Sequence, residues 1–396
     1  MKKNTRTISG VTPLAVMTKP AGCPGKCVYC PTYADAPQSY TPESPAVFRA
    51  RSCNFEAKAQ TALRLRILSE MGHPTDKIEL IVMGGTFLAQ PVDYQYRFIN
   101  RCYDGLNGTV SGSLEEAKKI NETAANRCTG LCIETRPDWC GEAEIKRMLE
   151  FGATRVELGV QALDDEIYKI VRRGHGVKEV VEATTRLREN GFKVYYHFMP
   201  GLPGSTPEKD VEMAKMLFDD ERFRPDGLKI YPTMVVEGSE LYKWYKEGRY
   251  TPYDNEVMES VIVAIKSVVP KYVRIARVLR DIPPKFIMAG LKDSLRDRVA
   301  QRMKEESKAC RCIRCREYGH RARLGFKIGE ARLTRMEYRA AGGQEIYLAY
   351  EDENETLFGL LRLRLQEREP KAVIRELHVY GPEVPLSARG DKAAQH

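Results

Sequence analysis

Three cysteines spaced Cys23-x3-Cys27-x2-Cys30, in the stretch AGCPGKCVYCP, have the most to say about chemistry in this 396-residue chain. Four-iron clusters ordinarily take four thiolates. Three thiolates at this spacing hold three irons and leave the fourth to a ligand that is not protein. An open iron can chelate the amino and carboxylate groups of S-adenosylmethionine and pass one electron into its sulfonium. The electron cleaves a C–S bond and releases a 5′-deoxyadenosyl radical, chemistry that side chains alone do not perform. Zinc is the rival ligand of such a triad, although structural zinc wants a closed tetrahedron. A second set, Cys310-x-Cys312-x2-Cys315 with His320 five residues on, falls within eleven residues and could close a Cys3His tetrahedron, the structural-zinc pattern. Its setting, ACRCIRCREYGHRAR, is too charged for a core of free thiols. Cys53, Cys102, Cys128, Cys132 and Cys140 show no grouping and read as small apolar residues.

Whether other polar residues join the first triad depends on the elements that carry them. Short apolar runs predict strands at Leu14–Met17, Ile78–Met83, Leu131–Ile133, Arg155–Leu158, Val194–Phe198 and Leu228–Tyr231. Helical patterns lie between them. One places Phe55, Ala59, Ala62, Leu63 and Ile67 on one face, with Asn54 as its cap and Gly72 as its stop. Strands alternating with helices predict parallel βαβ units, and six of them a (β/α)6 barrel or partial barrel. Chemistry in such barrels sits at the C-terminal ends of the strands. Just past successive runs stand Cys23, then Gly84-Gly85-Thr86, then Glu134 and Arg136, then Gln161, with His197 near the end of the fifth. The Gly-Gly-Thr turn lets backbone groups approach a ligand and suits the methionine end of the cofactor. Glu134 and Arg136 offer a carboxylate and a guanidinium to its ribose or carboxylate, or else close the barrel rim on each other. Gln161 and His197 divide evenly between ligand contact and packing. Lys229, inside LKIYP, is costly in a buried strand unless it faces a polar cavity, so it is the candidate catalytic residue, with a buried ion pair as the alternative.

Hydrophobic residues make up 42% of the chain, enough for a sizeable core, and no apolar run approaches a membrane span. The N-terminal apolar stretch, Val11 to Met17, is broken by Pro13 and is too short for a secretory signal. Eleven cysteines, odd in number and clustered, point to metal ligands in a reducing compartment, so the cytoplasm is expected. The net charge is +9, yet Lys271 to Arg335 alone holds nineteen Lys/Arg against seven Asp/Glu. Lys271, Arg274, Arg277 and Arg280 precede the first acid there, which favours a polyanion partner over a merely solvated face. From about Met336 the texture turns to strands, at Glu345–Tyr350, Thr356–Leu365 and Ala372–Tyr380, with a boundary near Arg335.

The stretches SGVTPLAVMTKPAGCPGKCVYCP, QSYTPESPAVFRAR, IELIVMGGTF, CIETRPDWC, RVELGVQ, HFMPGLPGS, GLKIYPT and IRELHVYGPEVP, in order and over nearly the whole chain, resemble the catalytic subunit of Elongator. That family of tRNA wobble-uridine modifying enzymes joins a radical SAM domain to an acetyltransferase domain. The resemblance implies that acetyl-CoA donates a two-carbon unit. The 5′-deoxyadenosyl radical activates the acetyl methyl group, which adds to C5 of the uridine and yields 5-carboxymethyluridine. It implies Cys23, Cys27 and Cys30 as [4Fe-4S] ligands, and Gly84, Gly85, Thr86, Glu134 and Arg136 as lining the S-adenosylmethionine site. Glu376, Leu377, His378 and Val379 would meet the pantetheine arm of acetyl-CoA through backbone groups. The expected domains are a radical SAM barrel over 1–270, a basic linker with the zinc cluster over 271–335, and the first part of a GNAT-type α+β acetyltransferase domain over 336–396. The family's CoA pyrophosphate turn opens with Gln-His followed by glycines, and here the sequence stops at Gln395-His396, so an incomplete acetyltransferase domain is expected. Expected partners are the anticodon region of tRNA, acetyl-CoA and an electron donor for the cluster, with a homodimer left open and no membrane. The competing readings are another radical SAM enzyme, such as a methylthiotransferase or a porphyrin-pathway oxidase, a non-catalytic iron–sulfur RNA-binding subunit, and a protein-lysine acetyltransferase.

Overall fold

The computed structural model describes residues 7–292, 295–366, 371–381 and 384. The apolar runs form one sheet of parallel strands in chain order: β1 (Thr12–Met17), β2 (Lys77–Met83), β3 (Arg127–Thr135), β4 (Arg155–Gln161), β5 (Lys193–Phe198), β6 (Gly227–Ile230) and, past a two-residue strand β7 (Val235–Val236), β8 (Arg274–Val278). Helices return the chain between the first six, and β7 pairs separately with β9 (Ile287–Ala289). Parallel strands covered on both faces read as near-continuous hydrophobic runs. Leu14, Val16, Ile78, Leu80, Val82, Val156, Leu158, Val194 and Leu228 accordingly have no accessible surface and form the core.

All six expected strands form, but the sheet has a seventh. The segment RIARV of β8 carries Arg274 and Arg277 in five residues, and those charges masked its strand character. It continues the parallel ladder beside β6, so the sheet runs past residue 270 into the stretch read as a linker. A helix Pro45–Ser52 comes first after the cysteine loop, and the helix expected to be capped by Asn54 also starts differently. It spans Ala57–Glu70 with Glu56 as its cap, accepting from the Ala59 N–H, while Asn54 and Phe55 stand at positive φ outside it.

A four-stranded antiparallel sheet follows: β10 (Arg332–Ala340), β11 (Gly343–Glu351), β12 (Leu357–Gln366) and β13 (Ala372–Val379). The boundary expected near Arg335 therefore falls inside a strand. Alternating charge in RLTRMEYRA concealed β10. This sheet lays a charged face on the barrel. Asp226, at the foot of β6, accepts from Arg375 Nη1 at 2.7 Å and Nη2 at 2.8 Å. Glu345 accepts from Arg188 at 2.8 Å, Arg364 at 2.9 Å and Arg375 at 2.6 Å. Glu376 takes Arg362 at 2.7 Å and Lys193 at 3.1 Å. Buried charges persist only when paired in this way. The stop at Gln395-His396 lies outside the described residues. Among those described, no helix is long and apolar enough to cross a membrane.

Candidate active site

A cavity of about 550 Å³ opens at the C-terminal ends of the parallel strands. Cys23, Cys27 and Cys30 reach it from the loop after β1, Gly85 and Thr86 from the turn after β2, and Glu134 and Arg136 from the end of β3. Gln161 ends β4, His197 lies in β5 and Lys229 in β6, and all three also line it. Gly84 stands behind the wall rather than in it. Its φ of +131° and the place of Thr18 Oγ1, where a Cβ would fall, both require glycine. Thr18 in turn donates to the Gly84 carbonyl at 3.3 Å and takes the Gln90 amide at 3.0 Å, which fixes the turn.

Thr86 connects that turn to the cysteine loop, its hydroxyl 3.5 Å from Cys23 Sγ. Arg136 pairs with Asp138 at 2.9 and 2.8 Å and donates to the Arg173 carbonyl at 2.8 Å. It also packs so tightly on the loop that a Cβ on Gly25 would collide with its Nη1. The Cys27 thiol is pushed down to about 4, chiefly by a hydrogen bond from Cys30, which outweighs burial, with Arg173 adding to it. Cys30, the donor in that bond, is held well above its usual value.

The opposite wall is an ion-pair chain. Glu157, whose side chain is wholly buried in β4, places Oε2 at 2.9 Å from His197 Nε2 and against the Lys229 ammonium. Lys229 Nζ donates to Glu134 Oε1 at 3.0 Å, and Glu134 Oε2 accepts from the Tyr40 hydroxyl at 3.1 Å. Burial opposes charge on Lys229, but Glu157 and Glu134, with Tyr231 beside them, hold its pKa well above the ordinary lysine value. Burial likewise opposes the Glu157 carboxylate, and Lys229, His197 and Arg155 hold it well below the ordinary value. Glu134, Glu157 and His197 converge as metal ligands would, yet Lys229 already supplies the cation between the carboxylates. Lys229 thus forms the buried ion pair given as the alternative, and it also lines the cavity.

The sequence reading missed Glu157, Tyr40 and Arg173. Glu157 had a signal, an acid in the middle of the apolar strand RVELGVQ, where a buried charge must have a partner. Arg173 had none, because its neighbours come from other parts of the chain.

The second cysteine set lies apart from the cavity. The sulfurs of Cys310, Cys312 and Cys315 come within 4.8 Å of one another. His320 does not join them: its Nε2 sits 3.1 Å from Glu317 Oε1. Glu317 also accepts from Arg274 at 2.7 Å and from the Ser9 hydroxyl at 3.0 Å, so it claims the imidazole for a different network. Of the residues expected at the acetyl donor, Glu376 and His378 turn their side chains inward, His378 to the Ser9 carbonyl at 2.7 Å. Leu377 is 71% exposed. The cations leading the basic segment are engaged as well: Lys271 with Glu351 and Glu355, Arg274 with Glu317, Arg277 with Asp281 and Arg280 with Ser39.

The radical SAM superfamily model matches residues 17–217, and a radical SAM C-terminal domain model matches 225–305. A tRNA uridine(34) acetyltransferase of Dehalococcoides mccartyi is 64% identical over all of this chain and 88% of its own length. One from Methanocaldococcus jannaschii is 49% identical, over 98% of this chain and 75% of its own. Human Elongator complex protein 3 is 40% identical, over the whole of this chain and 76% of its own. Among solved structures, the archaeal Methanocaldococcus infernus Elp3 with an N-terminal deletion superposes with a TM-score of 0.84 and 45% identity, covering 94% of this chain and 84% of that one.

Proposed function

The chain belongs to the tRNA uridine(34) acetyltransferase and Elongator complex protein 3 family of the radical SAM superfamily, and from that premise we propose that it modifies the wobble uridine of tRNA at C5, taking the added carbons from acetyl-CoA and forming 5-carboxymethyluridine. One observation carries the reading. A single cavity gathers three cysteines, the Gly85–Thr86 turn, Glu134, Arg136, Gln161, His197 and Lys229 from the ends of six consecutive strands.

The residues fit a [4Fe-4S] cluster with S-adenosylmethionine. Among the described residues, Arg136 Nη1 and Gln161 Oε1 are buried on the cavity wall with no hydrogen-bond partner, and such atoms call for a polar ligand. Cys23, Cys27 and Cys30 would hold the cluster, and Gly85, Thr86, Arg136 and Gln161 the cofactor beside it. When bound, the pair supplies a carbon-centred radical by one-electron cleavage of the sulfonium. The protein's own part is to place and enclose. The Arg136–Asp138 pair and the Thr86–Cys23 contact lock the loop to the turn. Lys229, kept charged by Glu157 and Glu134, presents a fixed ammonium that favours a carbonyl or enolate oxygen at the cavity wall. Tyr40 and Tyr231 stand beside it with raised pKa values, in both cases first through burial, and remain neutral donors.

For acetyl-CoA, β13 is the outer strand of its sheet among the described residues, and the inward turn of Glu376 and His378 leaves its backbone edge as the part available to the pantetheine arm. For tRNA, the engaged cations at 271–280 shift the footprint to the exposed stretch with Arg323, Lys327 and Arg332 around Phe326, a pairing of charge and aromatic surface suited to single-stranded bases. Zinc on Cys310, Cys312 and Cys315 would be structural, with a fourth ligand other than His320.

Anaerobic reconstitution with iron and sulfide, then dithionite, S-adenosylmethionine, tRNA and acetyl-CoA, tests the reading by two products. 5′-Deoxyadenosine and tRNA-borne 5-carboxymethyluridine are both expected, the second only with acetyl-CoA present. 5′-Deoxyadenosine that ignores both tRNA and acetyl-CoA would point to a different radical enzyme.

A further inference from the structure

The segment after the helix Asp165–Ile170 docks on the cysteine loop at Cys27 and Val28, and on the strand ends beside it at Arg136 and Gly159. The Val28 N–H donates to the Val171 carbonyl at 3.1 Å. Arg136 Nη2 donates to the Arg173 carbonyl at 2.8 Å. Arg173 itself is 5% exposed and sends Nη1 to Cys27 Sγ at 3.4 Å, while its Nη2 donates to the Gly159 carbonyl at the end of β4. A guanidinium in that position costs desolvation, and among the described residues its side-chain hydrogen bonds go to Cys27 Sγ and the Gly159 carbonyl rather than to a carboxylate. The sulfur is what it is aimed at.

We propose that Arg173 is a positioning residue for the iron–sulfur cluster, its Nη1–H donating to the Cys27 thiolate and raising the cluster's reduction potential. The inference rests on the cluster reading given above. A cluster gains one negative charge on reduction, and hydrogen bonds and positive charge at its sulfurs favour the reduced form. Outer residues that orient and polarise ligands are part of how a site is tuned. The interaction also holds Cys27 between the loop and β4, so the site's electrostatics and its geometry share one side chain.

An electron paramagnetic resonance redox titration of the reconstituted full chain tests this, with iron content measured on each sample. The variants are Arg173→Met, which removes the donor, and Arg173→Lys, which keeps charge without the planar fork. Arg172→Met, next in sequence but pointing to Glu240 at 2.8 Å, is the control. With iron content equal to wild type, R173M should show a lower midpoint, reducing about tenfold less cluster at a fixed potential, or 59 mV for one electron. R173K should fall between, and R172M should match wild type. An unchanged midpoint in R173M, or an equal shift in R172M, overturns the proposal. Loss of iron from both Arg173 variants overturns it too, in favour of a role in assembly only. A wild-type chain that takes up no iron sinks the parent cluster reading instead.

Discussion

The two cysteine triplets use the same ligand atoms in opposite surroundings. Cys23, Cys27 and Cys30 sit at the rim of a cavity, their sulfurs met by the Thr86 hydroxyl and by donors from the Gly25 N–H and Arg173. Cys310, Cys312 and Cys315 turn their sulfurs toward one another, away from any cavity that the first set shares. Around the second set several charges pair across segments. Arg316 binds Glu351 at 2.5 Å and Arg274 binds Glu317 at 2.7 Å. Around the first, buried polar atoms are left open toward the cavity. A site that admits a small molecule needs unfilled valences facing a cavity, whereas sulfurs that face one another away from a cavity suit a closed centre.

The strongest test of that contrast is Cys27→Ala. Iron incorporation and 5′-deoxyadenosine formation should fall to background, while any zinc taken up by the chain stays unchanged, as read by metal analysis of one sample. Cys312→Ala should do the reverse. A structural zinc contributes on the order of 10 kcal/mol in small isolated sites. Its loss should therefore lower the melting temperature more than any single ion-pair change, with iron still bound by the folded fraction. Equal loss of both metals in either variant would erase the division between an open and a closed site.

Smaller effects separate the surroundings. Glu157→Gln leaves Lys229 short of a buried partner, and breaking such a pair costs about 3–5 kcal/mol. Denaturant melts should show that loss, and the double variant with Lys229→Met should recover part of it because the unpaired charge is gone. The smallest expected effect is pH dependence near the second triplet. Burial raises the Glu317 pKa, but Arg274 and then His320 outweigh it and hold it at about 2, against an ordinary value of 4.5. A carboxylate with a depressed folded pKa adds stability above its unfolded pKa and loses it as pH falls. The contribution should thus be present above about pH 4.5 and fade toward pH 2. Acid unfolding of Glu317→Gln should lack that part of the slope; an identical acid limb in both proteins would remove Glu317 from the network.

Much of the first site was legible before any coordinates, since its members share one local rule. Each follows an apolar run, and a parallel barrel puts every such position on one rim, so Thr86, Glu134, Gln161 and His197 could be collected from strand ends alone. The second site was half legible. Spacing showed its three cysteines, whereas His320 looked like a ligand only because it was close in sequence. Charge patterning misled in two places, at β8 and β10, where arginines inside strands resemble solvated surface until their partners are known.

The sequence by itself determined the cysteine spacings and the order of the first six parallel strands with the turns that follow them. Each depends on neighbours within a few residues, where backbone geometry and ligand bite set the outcome. Tertiary structure alone decided that Arg173 faces Cys27, that Glu157 holds Lys229, that Glu317 claims His320 and that a charged sheet face seals against the barrel. Except for Glu317 and His320, three residues apart, those partners lie tens to hundreds of residues apart, and nothing local selects among the many oppositely charged candidates. Only packing does, because a charge removed from water is tolerated solely where the fold delivers its counterpart.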